Sequence, residues 1–101
     1  MGPKQFFDEL PGKVDPARIA GIERRYVFDV TGEGVWLVQI HEGKLTVTES
    51  PAVDGDVKFT LSADTFDRIT DRKQNPMVAY MTGKVKVSGD VKAASDLQKF
   101  L

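Results

Sequence analysis

Five segments of this chain alternate apolar and polar residues with a period of two, and this alternation constrains the fold more than any other feature. The clearest run is Val57-Lys58-Phe59-Thr60-Leu61, in which every second residue is apolar. Residues 26–30, 35–41, 45–48 and 84–88 follow the same pattern. Because successive side chains of a strand point to opposite faces, the pattern predicts a sheet with one covered face and one face in water.

The connections between these segments predict how the strands follow one another. Residues 31–34 and 42–43 are short glycine-containing turns, so the first three strands are expected to form an antiparallel meander. Residues 49–56 form a longer link that contains Pro51 and Gly55. This link can carry the chain across the sheet before the fourth strand begins.

Helical spacing appears at the start of the chain. Apolar residues 6, 7 and 10 fit one face of a short helix, which Pro11-Gly12 is expected to end. Asp15-Pro16 has the pattern of a helix cap followed by proline at the first helical position. The helical turn that follows is expected to carry Ile19 and to stop near Gly21.

The second half of the chain alternates helices with the last strand. Ser62 is a favourable N-cap for a helix over residues 63–74, and Asn75-Pro76 separates it from a second helix over 77–81 that Gly83 ends. After the fifth strand, Asp90 is expected to cap a last helix. The helices must then pack on one face of the sheet, which predicts a single α+β domain over residues 1–101, built as a two-layer sandwich.

The composition limits the partners and the compartment. The chain has 14 basic and 15 acidic residues, without the basic excess of a nucleic-acid-binding protein. No apolar run approaches the roughly 18–20 residues that span a bilayer. The first residues lack the apolar core of a secretory leader, the chain does not end in the peroxisomal Ser-Lys-Leu signal, and cysteine is absent. These features predict a cytoplasmic protein without a nucleic-acid partner.

Catalytic chemistry has little support in the sequence. The one histidine, His41, stands beside Glu42 at a predicted strand end and is interpreted as a solvated turn residue. None of the serines lies in a Gly-x-Ser-x-Gly motif, and Gly32-Glu33-Gly34 lacks the third glycine of a dinucleotide-binding loop. Scattered carboxylates and the absence of cysteine give no convincing metal-ligand set. The sequence therefore predicts no enzyme activity, no cofactor and no metal.

Residues 75–90 show a resemblance to a known protein family. They read Asn-Pro-Met-Val-Ala-Tyr-Met-Thr-Gly-Lys-Val-Lys-Val-Ser-Gly-Asp. This is the key stretch of residues 56–101, which resemble the core of the sterol carrier protein family, the type-two, non-specific lipid-transfer domain. Residues 6–11 and Asp15-Pro16 resemble the first helices of that family, and Trp36 stands in its usual second strand. The likeness covers essentially the whole chain.

The resemblance implies an α–β3–crossover–β–α–β fold with a five-stranded mixed sheet, helices on one face and an apolar tunnel between the layers. It also implies the binding and carriage of a fatty acid, acyl-CoA, sterol or isoprenoid without catalytic residues. The expected floor of the tunnel consists of Trp36, Val38, Phe59, Leu61, Val85 and Val87. The expected helical wall consists of Phe66, Ile69, Met77, Tyr80, Met81 and Leu97, with Ile19 and Phe100 at the ends.

Two other functions stay open at this point. The same fold could serve as an accessory or assembly subunit that holds a hydrophobic intermediate for partner enzymes. A small enzyme would need His41 or paired carboxylates in its pocket.

The expected partner is an apolar small molecule or lipid. A transient contact with a membrane stays open as an alternative, and a monomer is favoured. An empty pocket of ~300 Å³ would cost about 7 kcal/mol, so partial collapse is expected without ligand.

Overall fold

The computed structural model describes residues 2–49 and 54–97, with side chains through residue 94. Within these residues the strands are β1 (Arg24–Thr31), β2 (Gly34–His41), β3 (Lys44–Glu49), β4 (Val57–Ser62) and β5 (Val85–Gly89). The helices are α1 (Pro3–Lys13), α2 (Pro16–Ile19), α3 (Ala63–Thr70), α4 (Pro76–Met81) and α5 (Val91–Leu97). In this part of the chain no helix combines the length and the apolar character needed to cross a bilayer.

The strands form one mixed sheet in the order β3-β2-β1-β4-β5. The meander of β1, β2 and β3 is antiparallel, β1 and β4 run parallel, and β5 pairs antiparallel with β4 at the edge. The parallel pair requires the long crossover between β3 and β4. The predicted mixed sheet and the α+β sandwich are confirmed.

The predicted helix caps at Asp15, Ser62 and Asp90 are confirmed, and Asn75 caps the helix whose start it was predicted to mark. Asp15 accepts a hydrogen bond from Ala17 N–H, and Ser62 accepts one from Thr65 N–H. The Asn75 side chain accepts from Met77 and Val78 N–H, and the Asp90 side chain accepts from Lys92 and Ala93 N–H. Each cap satisfies backbone donors that the first turn of a helix leaves without a partner.

The prediction that Pro11-Gly12 ends the first helix is wrong, because α1 continues to Lys13. A proline inside a helix removes one backbone hydrogen bond, but its fixed φ is itself close to the helical value. Phe7 and Leu10 are both buried, and their packing against the sheet holds this face of the helix in place. The helix therefore continues for two residues beyond the proline.

The third helix is also shorter than predicted, since α3 ends at Thr70 and not at residue 74. Arg72 adopts a left-handed conformation with φ of 61°. Its N–H donates to Ile69 O, and the N–H of Lys73 donates to Arg68 O. This is a Schellman motif, which closes the carbonyl end of the helix and is usually built with glycine at the position that Arg72 occupies. No glycine marks this stop, so the sequence pattern overestimated the helix.

The expectation that one face of the sheet is fully wet needs a correction. The face that carries the helices is called the inner face here, and the opposite one the outer face. On the outer face Val27 and Leu37 are buried neighbours on adjacent strands. A methyl group built on Gly55 would lie 2.9 Å from Val27 Cγ2, so the end of the crossover passes over Val27.

Close backbone contacts join three segments: the start of β1, the end of the crossover and the end of β5. Asp56 N–H donates to Arg25 O, the Asp56 carboxylate accepts from Arg25 N–H, and Asp90 N–H donates to Asp56 O. A Cβ on Gly89, whose φ is +104°, would lie 2.5 Å from Asp56 O. Gly89 therefore lets β5 and β4 meet, which fixes the edge strand beside the rest of the sheet.

Glu23 connects the residues before β1 with the turn between β2 and β3. Its carboxylate accepts a hydrogen bond from Glu42 N–H at 2.9 Å and lies 2.5 Å from His41 Nδ1. The bond from the Glu42 backbone is the main cause that lowers the pKa of the Glu23 carboxyl below its ordinary value, with slight desolvation opposing it and His41 adding to it. His41 therefore has a carboxylate partner, which its position in the sequence did not reveal.

Gly89 and Gly83 provide a matched pair for testing the close approach of β5 to β4. Both have positive φ, but a Cβ on Gly83 meets no atom within 4 Å. We expect Gly83→Ala to cost about 1 kcal/mol of unfolding free energy from backbone strain alone. Gly89→Ala should cost about 3 kcal/mol or more, because steric overlap with the backbone is added. Urea unfolding measures both, and equal losses would contradict the described contact.

The carboxylate of Glu23 should make stability depend on pH. Since folding lowers its pKa, its contribution is fully present above the unfolded pKa of about 4.3 and disappears as the pH falls through the folded pKa. Glu23→Gln should therefore lower the melting temperature at pH 7, and the difference from the unsubstituted protein should shrink by pH 3. Glu33→Gln, the same change in the exposed β1–β2 turn, serves as the control and should show no such dependence.

Candidate functional site

The inner face of the sheet is a continuous apolar floor. One row runs across four strands, with Trp36 beside Phe28, Phe28 beside Phe59 and Phe59 beside Val87. The predicted floor residues all lie on this face, because Trp36, Val38, Phe59, Leu61 and Val85 are buried there and Val87 is half-buried against them.

Aromatic rings cover the half of the floor that β1 and β2 form. The Phe7 ring of α1 stacks on Trp36 with centroids 5.0 Å apart and lies 5.2 Å from Phe28. Phe66 of α3 packs on Phe7 at 5.5 Å and on Phe6 at 5.3 Å. Trp36 is only 3% exposed. These rings interlock α1 and α3 with the sheet, so this half of the interior is filled.

In the described part of the chain, the half of the floor that β4 and β5 form has a thinner cover. Among the side chains described, which end at residue 94, helix α4 contributes one buried residue, Ala79, and helix α5 contributes Ala93. Both are fully buried methyl groups, while Phe59, Leu61 and Val85 beneath this layer keep 7–8% of their surface exposed. Small side chains thus stand where the other half of the interior has phenyl rings.

The larger apolar side chains of α4 point away from the sheet. Met77, Val78, Tyr80 and Met81 are 43%, 48%, 42% and 77% exposed. Successive residues of an α-helix are rotated by 100° about its axis, so these four side chains occupy an arc of roughly 160° of the helix surface. This arc lies on the side opposite Ala79. The helix therefore presents its small residue to the interior and its large residues to solvent, which is the reverse of an ordinary amphipathic helix.

The helical wall predicted from the sequence is only partly assembled. Phe66 is buried and Ile69 is half-buried near it, whereas Met77, Tyr80 and Met81 lie at the surface. Ile19 is buried in α2, which packs against β3 at the far edge from α4. The Leu97 side chain and Phe100 lie outside the described residues.

Sequence reasoning missed several residues of the interior. Phe7, Tyr26 and Phe28 are buried on the helix side of the sheet, and Ala79 and Ala93 are the points where α4 and α5 touch it. Tyr26 and Phe28 alternate in β1 just as Trp36 and Val38 do in β2, so that signal was present in the sequence. The two alanines carry no comparable signal, because alanine is equally common on exposed and buried faces of helices.

Two surface depressions of the described residues lie away from the space between floor and helices. One, of about 460 Å³, lies between the start of α1 and Glu33. The other, of about 220 Å³, is lined by polar and charged residues that include Glu23, Arg25, His41 and Asp56. Both are open to solvent and bordered largely by charged groups, so neither resembles an apolar pocket.

His41 has the chemical surroundings of a structural residue. Its Nδ1 faces Glu23, and its Nε2 lies 3.5 Å from Glu42 Oε1. Within residues 2–49 and 54–97, no hydroxyl group forms a hydrogen bond with this ring, and no cluster of three or more His, Asp or Glu residues could hold a metal ion. The arrangement holds a turn in place and lacks a nucleophile to activate.

Comparison with known proteins identifies the fold. The hydroxysteroid dehydrogenase-like protein 2 of Danio rerio is 27% identical over 100 residues, which cover 96% of this chain and 24% of that protein. A fatty acid-binding protein of Yarrowia lipolytica is 40% identical over 53 residues, 52% of this chain and 41% of that protein. The chain thus spans about a quarter of the length of the dehydrogenase-like relatives it matches.

A solved structure has the same arrangement of strands and helices. The sterol carrier protein domain 2 of Helicoverpa armigera superimposes with a TM-score of 0.74 at 27% identity, covering 93% of this chain and 78% of the other. The sequence pattern of the SCP-2 sterol transfer family matches residues 4–101. This match extends over almost the whole sequence and agrees with the sheet order and the helical layer described above. The chain therefore belongs to the SCP-2 sterol transfer family.

Proposed function

We propose that this chain binds and carries a lipid between the inner face of β4 and β5 and the layer formed by α4 and α5. The observation that carries the proposal is the unequal cover of the floor. Among the side chains described, which end at residue 94, phenyl rings fill one half, whereas α4 and α5 place alanine methyl groups over the other half. A guest can gain apolar contacts there without displacing the interlocked aromatic rings.

The energies are compatible with reversible carriage. An acyl chain of about 16 carbons gains on the order of 13 kcal/mol at ~0.8 kcal/mol per buried methylene. Association and ordering cost roughly 4–15 kcal/mol. The surplus allows micromolar or somewhat tighter binding, from which the lipid can still be released.

Opening this half of the interior requires little disruption. Helix α4 has six residues, far fewer than the roughly 12–15 needed for an independently stable helix. Its buried side chain is Ala79, and a hydrogen bond from Lys84 N–H to Ala79 O joins its last turn to the residue that precedes β5. We infer that α4 moves away from β5 when lipid enters and that Met77, Tyr80 and Met81 then border the opening. Methionine suits such a rim because its flexible side chain adapts to variable apolar shapes.

The chemistry of the floor favours carriage over catalysis. The buried core residues that the structure describes are apolar apart from Tyr26 and Thr65. A guest held there meets groups that exclude water but transfer no proton. We therefore propose that the chain acts on its lipid by enclosing it and not by altering it.

The family membership and the relatives' names support an acyl or sterol ligand. One relative is a fatty acid-binding protein, and a similar structure is a sterol carrier protein domain. The floor offers planar aromatic surface at Phe59 and branched aliphatic surface at Leu61 and Val85, which accommodate both flexible chains and fused rings. Fatty acids, acyl-CoA, sterols and isoprenoids are accordingly the proposed ligand classes.

A second candidate function is the presentation of a lipid to an enzyme. It is favoured by the relatives named hydroxysteroid dehydrogenase-like protein 2, which are about four times as long as the matched region. In that arrangement the chain would hold a hydrophobic intermediate beside a catalytic domain. Co-purification of the chain with an enzyme that acts on the lipid it holds would separate this function from free carriage.

Adjacent residues of β5 provide a matched test of the floor. Val87 faces the helices and Ser88 faces the outer side, and both are neutral. We expect Val87→Glu to weaken palmitate binding at least roughly tenfold, because a carboxylate would be desolvated against the acyl chain. Ser88→Glu adds the same charge to the outer face and should bind palmitate normally. Energy transfer from Trp36 to a fluorescent polyene fatty acid measures both affinities.

Native mass spectrometry complements this titration by showing whether lipid already accompanies the purified chain. Normal binding by Val87→Glu, with circular dichroism showing a folded protein, would contradict the proposed floor. Equal losses in both variants would mean that added charge alone, and not its position on the inner face, weakens binding.

A further inference from the structure

Two of the three methionines of this chain lie on helix α4 and face solvent. Met81 is 77% exposed and Met77 is 43% exposed, although methionine is one of the residue types most often buried in proteins. They stand four residues apart in the helix, so their side chains are neighbours on one side of it. Met1 lies outside the described residues. Helix α4 thus presents a pair of adjacent, solvent-exposed thioethers.

The exposure of these thioethers makes them the groups that a peroxide reaches most readily. The sequence contains no cysteine, whose thiolate would otherwise compete for the oxidant. The single tryptophan, Trp36, is only 3% exposed and lies under the Phe7 ring. An oxidant in solution therefore meets Met77 and Met81 before it meets the sensitive groups of the interior.

The structure of α4 does not depend on either thioether. The residue that packs in the interior is Ala79. The Asn75 side chain accepts hydrogen bonds from Met77 and Val78 N–H, and the Thr82 hydroxyl donates to Val78 O and Ala79 O. These bonds use the backbone of the helix and not the methionine side chains. A change at either sulfur therefore leaves α4 in place, unlike oxidation of a buried methionine, which disrupts a core.

We propose that Met77 and Met81 form a reversible oxidation site at which hydrogen peroxide lowers the affinity of the chain for lipid. The loss of affinity rests on the proposed function, in which these side chains border the opening through which lipid enters. The oxidation itself rests on their exposure alone. The site thus makes lipid release depend on the oxidant concentration around the protein.

The oxidation transfers one oxygen atom from hydrogen peroxide to each thioether. The sulfur lone pair attacks one peroxide oxygen, so that an S–O bond forms while the O–O bond breaks. The departing hydroxide takes the proton from the transferred oxygen, which leaves a neutral sulfoxide and water. Sulfur loses two electrons and the peroxide gains them. Methionine sulfoxide reductases reverse the change with two electrons from a pair of thiols, which releases the oxygen as water and leaves a disulfide.

A sulfoxide makes the side chain polar without adding net charge. When lipid covers the border of the opening, a thioether contacts the acyl chain favourably, whereas a sulfoxide oxygen loses its hydration. Two sulfoxides should therefore lower the affinity for palmitate at least roughly tenfold. In the lipid-free chain both oxygens stay in water, so the melting temperature should change by no more than about 4 °C.

Peroxide treatment of the full chain, followed by removal of the peroxide, tests the proposal. Trypsin cleavage after Lys73 and Lys84 gives one peptide that contains both methionines, and its fragment spectrum measures the oxidation of each. We expect Met81 to be oxidised faster than Met77, in the order of their exposure. Calorimetric titration with palmitate should then show an affinity at least roughly tenfold lower. Treatment with methionine sulfoxide reductases and dithiothreitol should restore it.

Variants without these thioethers test whether the effect belongs to α4. The double variant Met77→Leu/Met81→Leu is compared with itself before and after peroxide, and its own affinity should stay unchanged. In this background, Thr48→Met places a thioether on exposed β3, at the opposite edge of the sheet. Oxidation of that thioether should change the affinity by less than about twofold. Loss of affinity in either treated variant would assign the effect to another residue and overturn the proposal.

The same measurements separate the oxidation site from lipid carriage. Equal affinity before and after oxidation of both methionines overturns the site's effect on binding and leaves carriage standing. A chain that binds no palmitate before treatment contradicts carriage and overturns this effect with it. Met77 and Met81 that resist a peroxide concentration sufficient to oxidise the isolated tryptic peptide overturn the oxidation site itself. A melting temperature lowered by more than about 10 °C would show that oxidation unfolds the chain, which also contradicts the proposal.

Discussion

The stacking of Phe7 on Trp36 is the contact on which the rest of the structure depends. It attaches α1 to the meander, and Phe66 extends it to α3, so three parts of the chain that are distant in sequence meet in one aromatic cluster. Rings at 5.0–5.5 Å add favourable edge and face interactions to the burial of their area. Because this cluster fills the half of the interior that β1 and β2 form, the proposed lipid site lies in the other half.

The other half combines a fixed floor with a loosely held cover. Hydrogen bonds between Asp56, Arg25 and Asp90 and the close approach at Gly89 hold β4 and β5 to the sheet. Helix α4 has its own caps at Asn75 and Gly83 but only Ala79 in the interior. It can therefore keep its helical form while it changes its distance from the sheet. Under the proposed function, a floor held by these contacts beneath a separately capped helix would allow uptake and release of lipid without unfolding.

The sequence predicted those parts of the fold that are encoded locally. Alternation located all five strands, and the cap residues Asp15, Ser62, Asn75 and Asp90 located the starts of four helices. The end of α3 escaped prediction because Arg72, and not glycine, occupies the left-handed position. The length of α1 escaped it because the buried residues Phe7 and Leu10 outweigh the helix-breaking tendency of Pro11.

The candidate site was less predictable than the fold. Strand alternation assigned the floor residues to one face, because every second side chain of a strand points to the same side of the sheet. Helix α4 gave no such constraint, because Met77, Tyr80 and Met81 and the small Ala79 are all compatible with burial. Which of them faces the sheet depends on how close the helix lies to β5, and this distance follows from tertiary packing. The sequence therefore predicted that α4 exists but not which of its sides faces the sheet.

The proposed lipid lies on the inner face of β4 and β5, under the part of the helical layer that α4 and α5 form. Nuclear Overhauser contacts between ¹³C-labelled palmitate and the protein would locate it. We expect contacts from the acyl chain to Phe59, Val85 and Val87, and none to Val27 or Leu37 on the outer face. Bound palmitate whose contacts are confined to the outer face, or that are absent from β4 and β5, would contradict it.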